Sequence, residues 1–211
     1  LQRRSCRRGS MASNLQIVKL EKMTYGGDAL GRLPDGRAVF VPFGLPSETT
    51  RVRIVNEKSG HARAELVEVL ESSPERITPR CRHYGICGGC HYQHLHYQAQ
   101  LISKTEILRD QLKRLGKVET SRIGPFSASP NEWNYRNHVQ FHLSPGGKLG
   151  FLAAHTRSVV PICECYLPEP TLNGLWPRLD LDPGLGLERV SLRLGFESET
   201  LLVMESRTVE L

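Results

Sequence analysis

Cys81-Arg82-His83-Tyr84-Gly85-Ile86-Cys87-Gly88-Gly89-Cys90 is the stretch around which the rest of the chain is organised. Three thiols so close in sequence can face one point only if the backbone between them turns tightly. Gly88 and Gly89 are expected to make that turn in positive φ, where glycine meets no Cβ clash. Their amides can then point at a sulfur-rich anion. A soft metal centre held by thiolates suits such a stretch. No fourth ligand lies nearby, and Cys163 and Cys165 are the two downstream candidates. An iron–sulfur cluster on three neighbouring cysteines and one remote cysteine fits this arrangement. Structural zinc prefers paired CxxC spacing, of which there is one, although His83, His91 or His94 could complete a Cys₃His site. Thiols with no metal are the plain alternative. The ligand types favour the cluster.

The chain has 211 residues, enough for two small domains, with 39% hydrophobic and 24% charged residues, as in ordinary globular proteins. No apolar run approaches the roughly 18–20 residues that span a bilayer. Clustered cysteines point to a reducing compartment and metal binding rather than a disulfide framework, hence the cytoplasm. The net charge is +6, but Arg3, Arg4, Arg7 and Arg8 supply four of those charges, leaving about +2 for the body. Residues 1–13 read as a disordered basic extension without an apolar core for a secretory signal. Cys6, within it, is not expected to be a ligand.

From Leu15 to Leu70 short apolar runs alternate with turn signals: Gly26-Gly27, Gly31, then Pro34-Asp35-Gly36. Ala38–Val41, Val52–Val55 and Ala64–Val69 read as strands. Regular short strands over some sixty residues predict a small closed barrel of OB type, a fold that often binds oligonucleotides. Arg32, Arg37, Arg51, Arg53, Lys58 and Arg63 could give it a basic face, or simply a solvated one. A polar hinge, Ser72–Arg76, leads into the cysteine segment. Residues 92–115 read as one helix, with Leu101, Thr105, Leu108, Leu112 and Leu115 on a stripe, an Asp110/Arg114 pair and Gly116 as its stop. Trp133–Leu143 turns to strand, with Val139, Phe141 and Leu143 on one side and His138, Gln140 and His142 on the other. A hairpin through Ser144–Gly147, a strand over 158–162 carrying Cys163 and Cys165 back to the other thiols, a short helix within 171–180 and a final hairpin complete a β-rich α+β chain.

Cys81-x₅-Cys87-Gly88-Gly89-Cys90, a long helix, and Val159-Val160-x-Ile162-x-x-Cys165-x-Leu167 resemble the RNA uracil-C5 methyltransferase family, S-adenosylmethionine-dependent enzymes that form 5-methyluridine in ribosomal and transfer RNA. Tyr25–Arg32, with Val39-Phe40-Val41-Pro42 and Leu45-Pro46, looks like the OB-like TRAM domain that many members carry. Trp133-Asn134-Tyr135-Arg136-Asn137 resembles the motif opening their middle domain. The resemblance implies an RNA-binding barrel over 14–72, an iron–sulfur-bearing middle domain over 73–211, and a 4Fe-4S cluster on Cys81, Cys87, Cys90 and Cys165. Cys165 is preferred because it stands three residues after Ile162 and two before Leu167. Pro161, where an acidic residue is common, and Ser47, where glycine follows Leu-Pro, are departures.

Members also carry a Rossmann-like domain that holds S-adenosylmethionine, a cysteine nucleophile and an acidic base. No acidic-x-Gly-x-Gly loop after a strand is found in this sequence, so that domain is expected to be absent and the chain inactive in methyl transfer alone. The resemblance thus implies the RNA-binding and cluster-bearing part of a ribosomal (23S) RNA uracil-C5 methyltransferase. The transfer-RNA counterpart, a stand-alone zinc-containing RNA-binding module and a small redox protein are the alternatives. The expected partner is RNA, with no membrane and no protein partner inferred. Arg136, Asn137 and Gln140 are the candidate RNA contacts, since an exposed polar strand face suits RNA reading.

Overall fold

The structure, a computed structural model, describes residues 14–154, 156–182, 184, 186–197 and 199–206. The basic N-terminal stretch with Cys6 lies outside the described residues. The chain forms two compact units, one from the residues up to Arg76 with Gln98–Phe126, the other from Ile77–Tyr97 with Ser127 onward.

In the first unit, β1 (Leu15–Met23), β2 (Asp28–Arg32), β3 (Ala38–Pro42), β4 (Thr49–Glu57) and β5 (His61–Glu71) close into a barrel in the order β1-β2-β3-β5-β4. The parallel β3–β5 pairing completes the ring, and the other pairings are antiparallel. The period-two pattern fixes what is inside: Val18 and Leu20, Val39 and Val41, Val52 and Ile54, Ala62 and Ala64 are buried. Gly31 sits where a Cβ would stand 2.4 Å from Val18 Cγ1 and 2.8 Å from the Lys19 carbonyl oxygen. Only glycine lets β2 cross so close to β1. The five-stranded barrel expected from the turn spacing is therefore present.

The helix expected over 92–115 is α1 (Tyr97–Arg114). Residues 92–96 serve the cysteine segment instead. Ile77 N donates to His94 O (3.0 Å), Leu95 N to Tyr92 O (3.0 Å) and Cys81 N to Gln93 Oε1 (3.1 Å). Polar groups so committed cannot also begin a helix. The expected stripe is covered only in part: Thr105 is buried and Leu101 and Leu112 are half-buried, whereas Leu108 and Leu115 are exposed and Ser103, off the stripe, is buried. Thr105 Oγ1 donates to Leu101 O (2.8 Å) and accepts from Phe126 N (3.1 Å). Beyond the helix, Lys117 rather than Gly116 takes the left-handed conformation, at φ 54. Asp110 does pair with Arg114 (3.4 Å), and also with Lys22 on β1 (3.2 Å).

In the second unit β6 (His138–Leu143), β7 (Leu149–Leu152), β8 (Val159–Pro161), β9 (Leu187–Leu194) and β10 (Thr200–Ser206) form an antiparallel sheet ordered β10-β9-β6-β7-β8. One face is covered by α2 (Pro170–Leu175) and a 3₁₀ turn, Trp176–Arg178. Phe141 is the centre of that core, its ring 5.2 Å from both Phe151 and Trp176. Val139 and Phe141 point inward while His138 and Gln140 are exposed, as the alternation predicts. β8, the strand expected to carry Cys163 and Cys165 back to the other thiols, lies at the edge of the sheet. Among the described residues no helix is long and apolar enough to cross a membrane, and no doubly wound parallel sheet is present.

Candidate functional site

Cys81, Cys87, Cys90 and Cys165 line one cavity of about 70 Å³ in the second unit. Cys163 does not. It is exposed, with Sγ 3.6 Å from His83 Nε2 at the rim. Of the two remote candidates left open by spacing, Cys165 is the one brought to the other three.

The near thiols are arranged by successive turns: Tyr84 N donates to Cys81 O (3.1 Å), and Ile86 N and Cys87 N to His83 O (3.2 and 2.9 Å). The positive φ falls on Gly85, at 84°, and not on Gly88 or Gly89 as expected. Gly88 is required for a different reason. Its N–H donates to Leu152 O (2.9 Å), and a Cβ there would lie 3.0 Å from that oxygen and 3.2 Å from Ala154 N. The loop is thus pressed onto the end of β7 with no space for a methyl group. Gly89 N–H does point at sulfur, 3.4 Å from Cys87 Sγ. Gly88→Ala is expected to destabilise the second unit by about 1–3 kcal/mol, the usual range for overpacking, measurable by thermal melting. Gly89→Ala, whose Cβ would meet only Cys87 Sγ at 3.4 Å, should cost less.

The remote thiol is held by a short ladder. Asn134 N donates to Tyr166 O (2.8 Å), Arg136 N to Leu167 O (2.9 Å) and Glu169 N to Arg136 O (2.9 Å), so the Trp133–Asn137 motif braces the segment that carries Cys165. Arg82 Nε pairs with Glu164 (3.0 Å), and Tyr166 Oη donates to the same carboxylate (3.2 Å). The Arg80 guanidinium lies 4.2 Å from the Tyr166 ring centroid and 5.6 Å from that of Trp133, within cation–π range. Loop and segment are therefore stitched on both sides of the thiols.

Burial pushes the Cys165 thiol up to about 11, with repulsion from Cys90, Cys81 and Cys87 added. Burial likewise raises Cys81 and Cys87, again with Cys90 as a repelling neighbour. The cavity therefore does not by itself stabilise a group of thiolates, and a cationic centre would have to. Among the described residues no group of three or more His, Cys, Asp or Glu side chains is placed to hold a single metal ion. Four sulfurs on one zinc would stand roughly 3.8 Å apart, given zinc–sulfur bonds of about 2.3 Å. A cubane asks less convergence, because each thiolate takes its own iron. The donor set, four thiols around one cavity walled by Val139, Phe151 and Ile162, fits that group.

The histidines have other work. His94 is buried, with Nδ1 against Tyr84 Oη. His91 is exposed, and its carbonyl accepts from Tyr84 Oη (3.1 Å). Arg136, Asn137 and Gln140 are all exposed. Arg136 reaches the wall of the thiol cavity, and Gln140 Nε2 donates to Ser191 Oγ (3.2 Å) on β9.

The basic face expected on the barrel is largely neutralised. Arg51 pairs with Glu68, Arg53 with Glu65 (3.3 Å), and Arg37 with both Asp35 (2.7 Å) and Glu57 (3.1 Å). The first two are cross-strand neighbours in the β4–β5 register. Glu48, not singled out by the sequence, is fully buried. It accepts from Arg76 Nε (2.6 Å) and Nη2 (2.8 Å), Leu45 N (2.9 Å) and Ser73 N (3.2 Å). Ser47 beside it has φ 70, which explains why glycine suits that position.

A family model of the TRAM domain matches residues 14–67, the span of the barrel. An uncharacterized RNA methyltransferase of Aquifex aeolicus is 40% identical over 77% of the chain and 38% of its own length. The 23S rRNA (uracil(1939)-C(5))-methyltransferase RlmD of Cupriavidus metallidurans is 33% identical over 92% of the chain and 45% of its own length. The chain belongs to the RNA uracil-C5 methyltransferase family. It spans about two fifths of the length of these curated family members. Among solved structures, the Pyrococcus abyssi tRNA (uracil-54, C5)-methyltransferase, in complex with S-adenosyl-L-homocysteine, shares the fold. Its TM-score is 0.61 over 92% of the chain and 47% of that protein, at 23% identity.

Proposed function

We propose that the chain is the RNA-binding and 4Fe-4S-bearing region of a ribosomal (23S) RNA uracil-C5 methyltransferase acting in the cytoplasm, with the cluster on Cys81, Cys87, Cys90 and Cys165. The observation that carries this reading is the single cavity lined by those four thiols, with Cys163 left outside. The ribosomal substrate is favoured over transfer RNA because relatives named for it match most of the chain at 33–34% identity. When bound, the cluster would tie the Cys81–Cys90 loop to the Cys165 segment. The chain's own residues would keep the loop seated on β7 through Gly88, brace the remote segment through Arg136 and Glu169, and present Arg136, Asn137 and Gln140 to RNA. Methyl transfer from S-adenosylmethionine is proposed for the whole protein and not for this chain alone.

Protein purified without oxygen is expected to hold iron and acid-labile sulfide in equal amounts, about four of each per chain. One zinc per chain and no sulfide would instead support the zinc-module alternative. On the RNA side, Arg136→Ala is expected to weaken binding of a 23S-derived oligonucleotide and to lower the slope of log K against log salt by about one, as loss of one phosphate contact does. An unchanged slope would remove Arg136 from the interface.

A further inference from the structure

The charged outside of the barrel is interrupted by apolar side chains in several places, Ile17, Val55 and Val67 among them, and in one of these places aromatic groups gather. β2, β3 and β5 present Leu30, Phe40 and His61 outward, the rings of Phe40 and His61 meeting edge to face at 5.9 Å and 83°. Leu30 and Phe40 are register partners across β2–β3, and Phe40 pairs with Arg63 across β3–β5. Leu30 and Phe40 therefore form a small apolar patch with Arg63 at its edge. Tyr25, in the turn leading into β2, stands beside it at 82% exposure, an aromatic ring held in water. Within the same compact unit α1 supplies the facing wall through Ile107, Gln111 and Arg114. The groove between them encloses about 790 Å³, in the upper range of ligand sites.

The groove's charges balance locally. Lys22 and Arg114 both pair with Asp110, and Arg63 lies 3.8 Å from Asp28. A site that worked by neutralising a run of phosphates would leave its cations uncompensated. One aromatic ring on β3 of an OB-type barrel and another in the turn before β2, with amide and carboxylate groups opposite, suit unstacked bases instead. The geometry points to this groove as the seat of one or two unstacked bases of single-stranded RNA, stacked on Tyr25 and Phe40 and read at their edges by Gln111 and Asp28. This deepens the RNA-binding reading above and rests on it. It assigns the base-stacking part of recognition to the barrel, apart from the Arg136 surface.

The probe is a ten-nucleotide single-stranded RNA carrying one 2-aminopurine, titrated into the iron-loaded chain. Quenching of the 2-aminopurine is expected, and duplex RNA of the same length should compete poorly. Tyr25→Ala, at an exposed position that carries no core packing, and Phe40→Leu, which keeps the apolar volume, should each lower affinity by about tenfold, within the range for loss of one stacking partner. The salt slope should be unchanged, in contrast to Arg136→Ala. Circular dichroism establishes that each variant is folded. If the parent chain binds no RNA at any salt, the RNA-binding reading itself fails. If it binds RNA but both folded variants keep parental affinity and quenching, the groove seats something other than RNA bases and this inference is overturned. A Tyr25→Ala loss that comes with a lower salt slope would overturn it too, by marking a phosphate contact.

Discussion

Cys165→Ser is expected to yield protein that holds little iron and melts more than about 10 °C lower in its second unit, while Cys163→Ser keeps both iron and melting temperature. The two residues are separated only by Glu164, so composition and local sequence hardly distinguish them. What differs is burial. Cys165 faces the cavity with Cys81, Cys87 and Cys90, and Cys163 faces outward beside His83. The four thiols are gathered only by the folded chain, so the binding free energy of whatever they hold is also folding free energy. For a unit of about a hundred residues, 1 kcal/mol moves the melting temperature by roughly 4–8 °C. A loss of even 2–3 kcal/mol is therefore plain in a melting curve. Iron and sulfide are measured on each variant first, so that loss of cluster is separated from loss of fold. Equal iron in both variants would break the ligand assignment. Iron lost from Cys163→Ser alone would reverse it.

The barrel was readable from its sequence because its signals are local. Alternation in Ala38–Val41 and Ala64–Val69 marks the inward face, and Pro34-Asp35-Gly36 marks a turn whose glycine has φ 84. The near cysteines were readable for the same reason. What stayed hidden depends on register or on distant chain. Arg51 and Arg53 look like an exposed basic face until β4 is aligned with β5, and bulges shift that alignment twice before Glu65 is reached. The helix starts five residues later than its sequence predicts, because residues 92–96 carry no breaker. Their commitment to Ile77 and Cys81 appears only in three dimensions. Gly88 and Gly89 were expected to turn the chain, yet the turn belongs to Gly85, and Gly88 answers to a close approach by Leu152. In the thiol site the residue types were legible and the choice of Cys165 needed the resemblance, since spacing alone left Cys163 open.

Glu48 is the residue whose importance no local pattern announced. Pro46-Ser47-Glu48 reads as a solvated turn, and the carboxylate is instead sealed with four donated hydrogen bonds, two of them from Arg76. Its burial opposes ionisation, but the Arg76 bonds and the Leu45 and Ser73 amides outweigh that and hold it below the usual carboxylate value of 4.5. Glu48→Gln keeps the shape and removes the charge, so Arg76 is left part-buried without its partner and one amide group faces another donor. Breaking a buried pair from one side costs about 3–5 kcal/mol, and the lower end applies because Arg76 keeps some contact with water. The barrel is therefore expected to melt well below the parent at neutral pH. The sign of the pH dependence follows from the depressed value. The carboxylate's contribution is fully present above the unfolded value near 4.5 and is lost as pH falls through the lower folded value. The gap between parent and Glu48→Gln should thus be widest at pH 6–7 and narrow steadily as the pH drops below about 4.5. Barrel melting followed by circular dichroism across that range makes the comparison. A gap that stays constant would mean that packing alone, and not the buried ion pair, closes this end of the barrel.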